Sequence, residues 1–308
     1  MITGMDPATE QFLASVGNLQ ARLADTQNQL SSGLRVSKPS DAPEQVGDIF
    51  QTRAELAHAN QVDQNLGVVK AQVDAAESSL QSAVQLLQNA TTVGAQGAGS
   101  TVSASQRAIL AGQIQDLESQ LVALSRTQVD GVYIFSGDSG GSPAYQVNTA
   151  SPTGVDRLIT SPAAAQVADP AGVTFQVAKT AQDLFDKRDN SDNPAPENAF
   201  AALHSLQTAL LSGDANAINQ AIGAVKGSND YLNQQLGFYG AAQNRISSSI
   251  DLAKKFEVQA QAQLSSLQDA DIPAEALVLS QLTTNLDAAM AARAKRPTTS
   301  LFDYLPAQ

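Results

Sequence analysis

Between Ala59 and Ala90 the chain places apolar residues at alternating steps of three and four: Ala59, Val62, Leu66, Val69, Val73, Ala76, Leu80, Ala83, Leu87 and Ala90. Almost everything between them is polar or small. An apolar repeat averaging about 3.5 residues draws a narrow seam along one side of a helix, and another helix winding alongside is what buries such a seam. The stretch is therefore half of a long helical pair.

A chain of 308 residues can bury a sizeable core, yet only 5% of it is aromatic and it contains no Trp. Large aromatic side chains supply much of the buried area in a thick globular core. Their scarcity points to slender helical packing and an elongated molecule.

The formal charge is −12, from 30 acidic and 18 basic residues, and the basic ones are thinly scattered. A nucleic-acid interface concentrates Lys and Arg on one face to displace phosphate counterions. Only Arg293, Lys295 and Arg296 cluster, and at a helix end they read as a favourable dipole interaction, so no nucleic-acid partner is expected. The absence of Cys excludes disulfides, thiolate metal sites and a Cys nucleophile. No apolar run approaches the roughly 20 residues needed to span a bilayer, so no membrane span is expected. The opening residues Met1 to Pro7 show no basic segment followed by an apolar one. A cleaved secretory signal is therefore not expected.

Taken in order, the chain starts a first helix after Pro7, with Phe12, Val16, Leu19, Leu23, Thr26 and Leu30 as its seam. A helix of that length is marginal alone in water and should be poorly ordered until docked. Gly33 stops it, and Ser31 to Pro43 (SSGLRVSKPSDAP) forms an ordered elbow, with Ser40 or Asp41 placed to cap the next helix. That long helix runs from about Glu44 to about Gly94, a rod of roughly 75 Å at 1.5 Å per residue. Gly94, Gly97 and Gly99 read as the turn after it. A third helix from Ala104 to about Gln128 carries Leu110, Ile114, Leu117, Leu121 and Leu124, and its short connection folds it back antiparallel.

Beyond Asp130 the pattern changes. Val132 to Phe135 reads as extended chain ahead of the turn-forming Ser136 to Gly141, and short β-like pieces come after it at Tyr145 to Val147, Val155 to Ile159 and Val173 to Val177. Helical spacing returns with Phe200, Leu203, Leu206 and Leu210, and from Ala215 it persists to Leu267, an antiparallel companion for the first rod. Pro273 breaks it, and a last helix carries Leu279, Leu282, Leu286 and Ala289. The fold class is thus mainly α: a long antiparallel helical bundle built from both chain ends, with a small β-rich insert. The chain divides into three parts: residues 1–43 with 269–308 as a terminal coiled-coil part, 44–135 with 197–268 as a helical bundle, and 136–196 as the insert.

No catalytic signature is present. His58 and His204 lie on separate helices without the spaced partners of a zinc motif, and read as solvated helix residues. Gly137 to Gly141 lacks the spacing and the lysine of a phosphate loop and reads as a turn. Asn89 to Thr91 matches a glycosylation sequon only by chance, since Ala90 is on the seam. Asp269 and Asp271 cap a helix start more simply than they do acid–base work. No catalytic residue, metal or cofactor is expected. The apolar faces of the terminal segments, however, exceed what two short helices can bury in one another, which makes the ends candidate interfaces.

Leu30 to Pro43 (LSSGLRVSKPSDAP) resembles the N-terminal signature of bacterial flagellins and their relatives, and Gly237 through Leu305 resembles their C-terminal region. Within that superfamily Gly131 to Gly137 (GVYIFSG) and Ser300 to Leu305 (SLFDYL) look like the branch that joins hook to filament, because flagellins proper usually lack the aromatic segment and end differently. The resemblance covers all but the insert; the opening Met1 to Pro7 departs from the usual start. It implies a coiled-coil terminal domain, a neighbouring helical bundle and a β-rich outer domain. It further implies a structural, non-enzymatic role outside the cell in the bacterial flagellum, export without a cleaved signal through the flagellar type III apparatus with a chaperone, and contacts with a hook-side junction protein and flagellin. Self-association by head-to-tail contacts generates rings or open helices. The expected assembly residues are Phe12, Val16, Leu19, Leu23, Leu30, Leu279, Leu282, Leu286 and Leu305. Two other readings stand beside the junction role: a flagellin forming the bulk filament, and a cytoplasmic coiled-coil module holding a partner helix.

Overall fold

The computed structural model describes residues 7–160 and 162–294. The chain is mainly helical with a small β region, 69% of it in helices. It divides into two compact units, one made of residues 58–255 and the other of 1–57 with 256–308.

Two long helices run through the architecture, α2 (Val46–Gly97) and α6 (Ala215–Gln268), antiparallel to one another. Within residues 58–255 the repeat from Ala59 to Ala90 is the buried face of α2: Leu66, Leu80, Ala83, Leu87 and Ala90 are fully buried, with Val62 and Val69 half-buried at its margin. Polar side chains fix the register. Asn229 of α6 donates to the Val84 carbonyl at 2.8 Å, and Gln243 donates to Asp74 at 2.9 Å and also to Glu77. The third helix, α3 (Ala104–Ser125), starts at a capping box in which Ser103 and Gln106 satisfy each other's backbone N–H. It folds back along α2 as expected, since Arg107 near its start donates to the Gly97 carbonyl at 3.0 Å while Thr127 just past its end meets Ser79 at 2.9 Å.

The glycines near the end of α2 depart from expectation. The helix does not turn at Gly94 but continues to Gly97. Both residues are glycine because α5 (Ala199–Ser212) and α6 press on them: a Cβ on Gly94 would stand 2.8 Å from Ile222 Cγ1 and 3.1 Å from Leu206 Cδ1, and one on Gly97 would overlap Leu210. The start also shifts, to Val46, because Asp41 is used inside the elbow and does not cap α2.

The β region consists of antiparallel hairpins. Strands β1 (Gln128–Val129) and β2 (Val132–Tyr133) flank Asp130 and Gly131, both at positive φ as a tight two-residue hairpin turn requires. Strands β3 (Tyr145–Val147) and β4 (Val155–Arg157) pair as Tyr145 with Arg157 and Val147 with Val155. Strand β6 (Thr174–Gln176) pairs with β5 (Gln166–Ala168), for which the sequence offered no alternation. A single turn of helix, α4 (Ala181–Leu184), comes next. Ile134 and Phe135 pass straight into the core, where Phe135 meets Phe185 edge-to-face at 5.6 Å and Tyr145 lies 5.1 Å from Phe200. The buried Asp186 ties these pieces together, accepting from Tyr145 Oη at 2.9 Å, Asn198 at 2.7 Å and Arg188 at 3.0 Å. Hairpins and helices of this unit therefore share one hydrophobic core.

His204 is a correction. It is not solvated but mostly covered within α5, facing the buried Glu118 of α3 at 3.8 Å; His58 is exposed as expected.

These contacts set a paired test. Gly97→Ala is expected to lower stability to chemical denaturation by about 1–3 kcal/mol through overpacking against Leu210, whereas Gly67→Ala on the same helix, with nothing within 4 Å, should raise it by roughly 0.5–1 kcal/mol. Equal effects at the two glycines would refute the packing explanation.

Candidate assembly interface

In the unit made from both chain ends, α1 (Pro7–Ser32) and α7 (Ile272–Ala294) pack along each other. The predicted seam residues are the ones turned inward. On α1, Phe12, Val16, Leu19, Leu23 and Leu30 are half-buried and Thr26 is buried; on α7, Leu279, Leu286 and Ala289 are half-buried and Leu282 is buried. Cover for α1 thus comes first from α7 of the same chain. Leu305, and with it Ser300 to Tyr304, lies outside the described residues.

Arg293 does more than complement a helix dipole. Its guanidinium lies 5.5 Å from the Phe12 ring centroid and donates to Thr9 Oγ1 at 2.9 Å, so it closes the far end of the pair by a cation–π contact.

The elbow closes the near end. Gly33, at φ 72°, ends α1, and Leu34 forms an antiparallel bridge with Asp269. The carbonyls at the C-terminus of α6 would otherwise be orphaned. The elbow supplies their donors: Arg35 N–H and Val36 N–H to the Gln268 carbonyl at 2.7 and 3.2 Å, and the Arg35 guanidinium to the Leu267 carbonyl at 2.8 Å. The Gln268 side chain, itself buried, donates in turn to the Val36 carbonyl at 3.3 Å while accepting from Arg53 at 3.2 Å. Val36, Ala42 and Ile49 bury a small apolar cluster with Leu264 and Leu267. Asp41 braces the turn by accepting from the Lys38 and Ser37 N–H groups at 2.7 and 3.0 Å, and those donors, Lys38 first, hold its carboxyl below the usual range. Of the two acids before Pro273, only Asp271 caps α7, accepting from Ala274 N–H at 3.1 Å; Asp269 accepts from the Ser265 hydroxyl and its backbone belongs to the bridge.

Several large apolar side chains of this unit remain uncovered. Leu13 on α1 is 51% exposed, and Leu277 and Met290 on α7 are 71% and 56% exposed. Phe50 and Val258 are exposed as well. Sequence reasoning missed Gln268, Arg35 and Arg53, since polar residues that tie the elbow to the end of α6 carry no periodic signal. Among the described residues no group of three or more His, Cys, Asp or Glu could hold a metal ion, and no helix is long and apolar enough to cross a membrane.

Residues 7–139, which carry α1, the elbow, the first rod and α3, match the family described as the bacterial flagellin N-terminal helical region. The chain resembles flagellar hook-associated protein 3. It is 24% identical to that protein of Salmonella typhimurium over 279 residues, covering 85% of this chain and 86% of the relative. It is also 22% identical to the flagellar filament 33 kDa core protein of Treponema phagedenis over 296 residues, 94% of this chain and 95% of that one. The crystal structure of flagellar hook-associated protein 3 from Legionella pneumophila shares the fold, with a TM-score of 0.58 at 13% identity over 72% of this chain and 99% of that one.

The uneven burial of α7 generates a prediction. Leu282→Ala should cost about 2–4 kcal/mol of local stability, read as lost hydrogen-exchange protection along α1, while Leu277→Ala on the exposed side should change it by less than about 0.5 kcal/mol. Equal losses from both would show that α7 does not meet α1 through its predicted face.

Proposed function

We propose that this protein is a structural component of the bacterial flagellum that joins hook to filament by helical self-assembly through its terminal helices. The observation that carries the reading is the half-covered seam of α1 and α7: most of its leucines remain partly in water, and Leu13, Leu277 and Met290 stand beyond it. Burying such a stripe completely takes further helices, and neighbouring subunits offer them. In this reading Phe12, Val16, Leu19, Leu23, Leu30, Leu279, Leu282, Leu286 and Leu305 form the assembly face. Residues 1–43 with 269–308 serve as the assembly part, 44–135 with 197–268 as the helical bundle and 136–196 as the outer insert. The subunit leaves the cell by the flagellar export route with a chaperone, and meets a hook-side junction protein on one side and flagellin on the other. Similarity to hook-associated protein 3 over most of both chains supports the flagellar role and a non-enzymatic one.

One observation favours a second reading, the bulk filament subunit: the match to the Treponema phagedenis filament core protein spans nearly the whole chain. Copy number separates the two. A junction protein is scarce and confined to the hook end, whereas a filament subunit recurs along the whole filament.

The assembly reading predicts that Leu19→Asp leaves residues 58–255 folded, with unchanged helical content and melting of that unit, yet abolishes incorporation into flagella in cells making only the variant. Normal filament attachment in that strain would refute it.

A further inference from the structure

Away from the terminal unit, one side-chain pair takes no part in the assembly face or in fixing the helix register. Glu118 of α3 is 1% exposed, and neither carboxyl oxygen has a hydrogen-bond partner among the described residues. Its nearest titratable neighbour is His204, whose Nδ1 is 3.8 Å away and equally without a partner. A buried polar group left unsatisfied is costly, and an ionised one far more so.

The lid on this pair is the loop of the β3–β4 hairpin. Gly154 sits at φ +73°, and a Cβ there would overlap the Glu118 carboxyl and stand 3.0 Å from His204 Nδ1. The loop is tightly closed, with Asn148 N–H donating to the Gly154 carbonyl at 2.9 Å and Gly154 N–H to the Ser151 carbonyl at 3.0 Å. Backbone thus rests directly on the carboxyl and keeps water away. Beside it His204 also lines an open groove with Pro152, Ser205 and Thr208, which gives water a route once the loop lifts.

No other charge serves the pair. On α3, Arg107 is committed to the Gly97 carbonyl and Asp116 is exposed; α5 carries no ionisable residue besides His204. On α2, residues 78–97 are uncharged, as are residues 215–225 of α6 across the groove. In the hairpin, Asp156 accepts from Asn148 at 2.9 Å, and Arg157 is paired with Asp186 at 3.4 Å and Asp192 at 2.8 Å.

We propose that Glu118 and His204 form a pH-operated latch, in which a protonated Glu118 lets the β3–β4 hairpin close on α3 and α5 and its ionisation makes the hairpin lift to admit water. Burial pushes the Glu118 carboxyl up to about 7 from an ordinary value of 4.5. A group raised in the closed form contributes stability that is complete below its ordinary value and is lost as pH rises through the raised one, here between about 4.5 and 7. Burial lowers His204, so its contribution has the opposite sense and is lost as pH falls below its ordinary 6.5. The two limbs oppose each other in mildly acid solution, and on the neutral-to-alkaline side Glu118 alone sets the latch.

The test is hydrogen exchange of peptides spanning residues 144–158 in the full chain, corrected for intrinsic rates, with Glu118→Gln as a permanently neutral stand-in for the protonated acid. The ratio of protection, variant over unmodified protein, should grow from no more than a few-fold at pH 5 to at least about tenfold at pH 8, as an upward shift of this size requires. A ratio that stays flat with pH, or a variant hairpin less protected than the original at pH 8, overturns the latch. Should the variant fail to fold, the carbon-13 titration of the Glu118 carboxyl in the unmodified protein decides: a midpoint well above 6 supports the latch, and one in the ordinary glutamate range overturns it.

Discussion

The burial of one narrow apolar line on α2 is the interaction that the helical unit depends on. Because the line is built largely of alanine, valine and leucine, helices can approach closely without aromatic wedges, and the scarcity of large side chains becomes a condition of the fold. Gly94 and Gly97 extend the same logic to the end of the rod, where α5 and α6 come nearest. Asn229 and Gln243 then choose one register among the several a repeating seam would allow. Four of the large aromatics, Phe135, Tyr145, Phe185 and Phe200, gather where the hairpins join the helices and periodic packing gives out.

How much of this the sequence discloses depends on whether a residue's role is local or tertiary. The seam, the stop at Gly33 and the break before Pro273 are written in spacing or backbone preference, and they are legible. Gly94 and Gly97 are not, because a glycine that ends a helix and one that admits a neighbour look alike until the neighbour is placed. Strand β5 escaped for a different reason: three residues give no alternation to read, and only its pairing with β6 makes it a strand. His204 was legible in part. The helix carrying it, AFAALHSLQTALLS, is apolar on most of its circumference, so a solvated position for its one ionisable residue was the less consistent reading.

For the terminal unit the division runs between hydrophobic and polar residues. Period alone selects Phe12, Val16, Leu19, Leu23 and Leu30 as the inward line of α1 and Leu282 as the most buried point of α7. It says nothing of the elbow, whose work is to satisfy the last carbonyls of α6. That work falls to Arg35 and Val36, braced by the Gln268 side chain that donates back to the Val36 carbonyl from more than two hundred residues away. Resemblance to the flagellin signature marked the segment as important, but only the hydrogen bonds explain why it is there.

The two ends of the chain sit in a balance that a fully buried core would not permit. A lone pair of helices can turn only one line of side chains toward each other, so each member keeps most of its circumference in water. Here the inward line itself is mostly half-buried, and the Phe12–Arg293 contact and the elbow do much to hold the pair in alignment. Such an arrangement holds α1 and α7 together while leaving part of the apolar surface, Leu13, Leu277 and Met290 above all, in water. In the proposed assembly, neighbouring subunits would supply its burial, which would couple the final stability of this unit to assembly. Residues 58–255, with their own continuous core, need no such help, and the contrast between the two units is the physical reason to look for the interface at the ends.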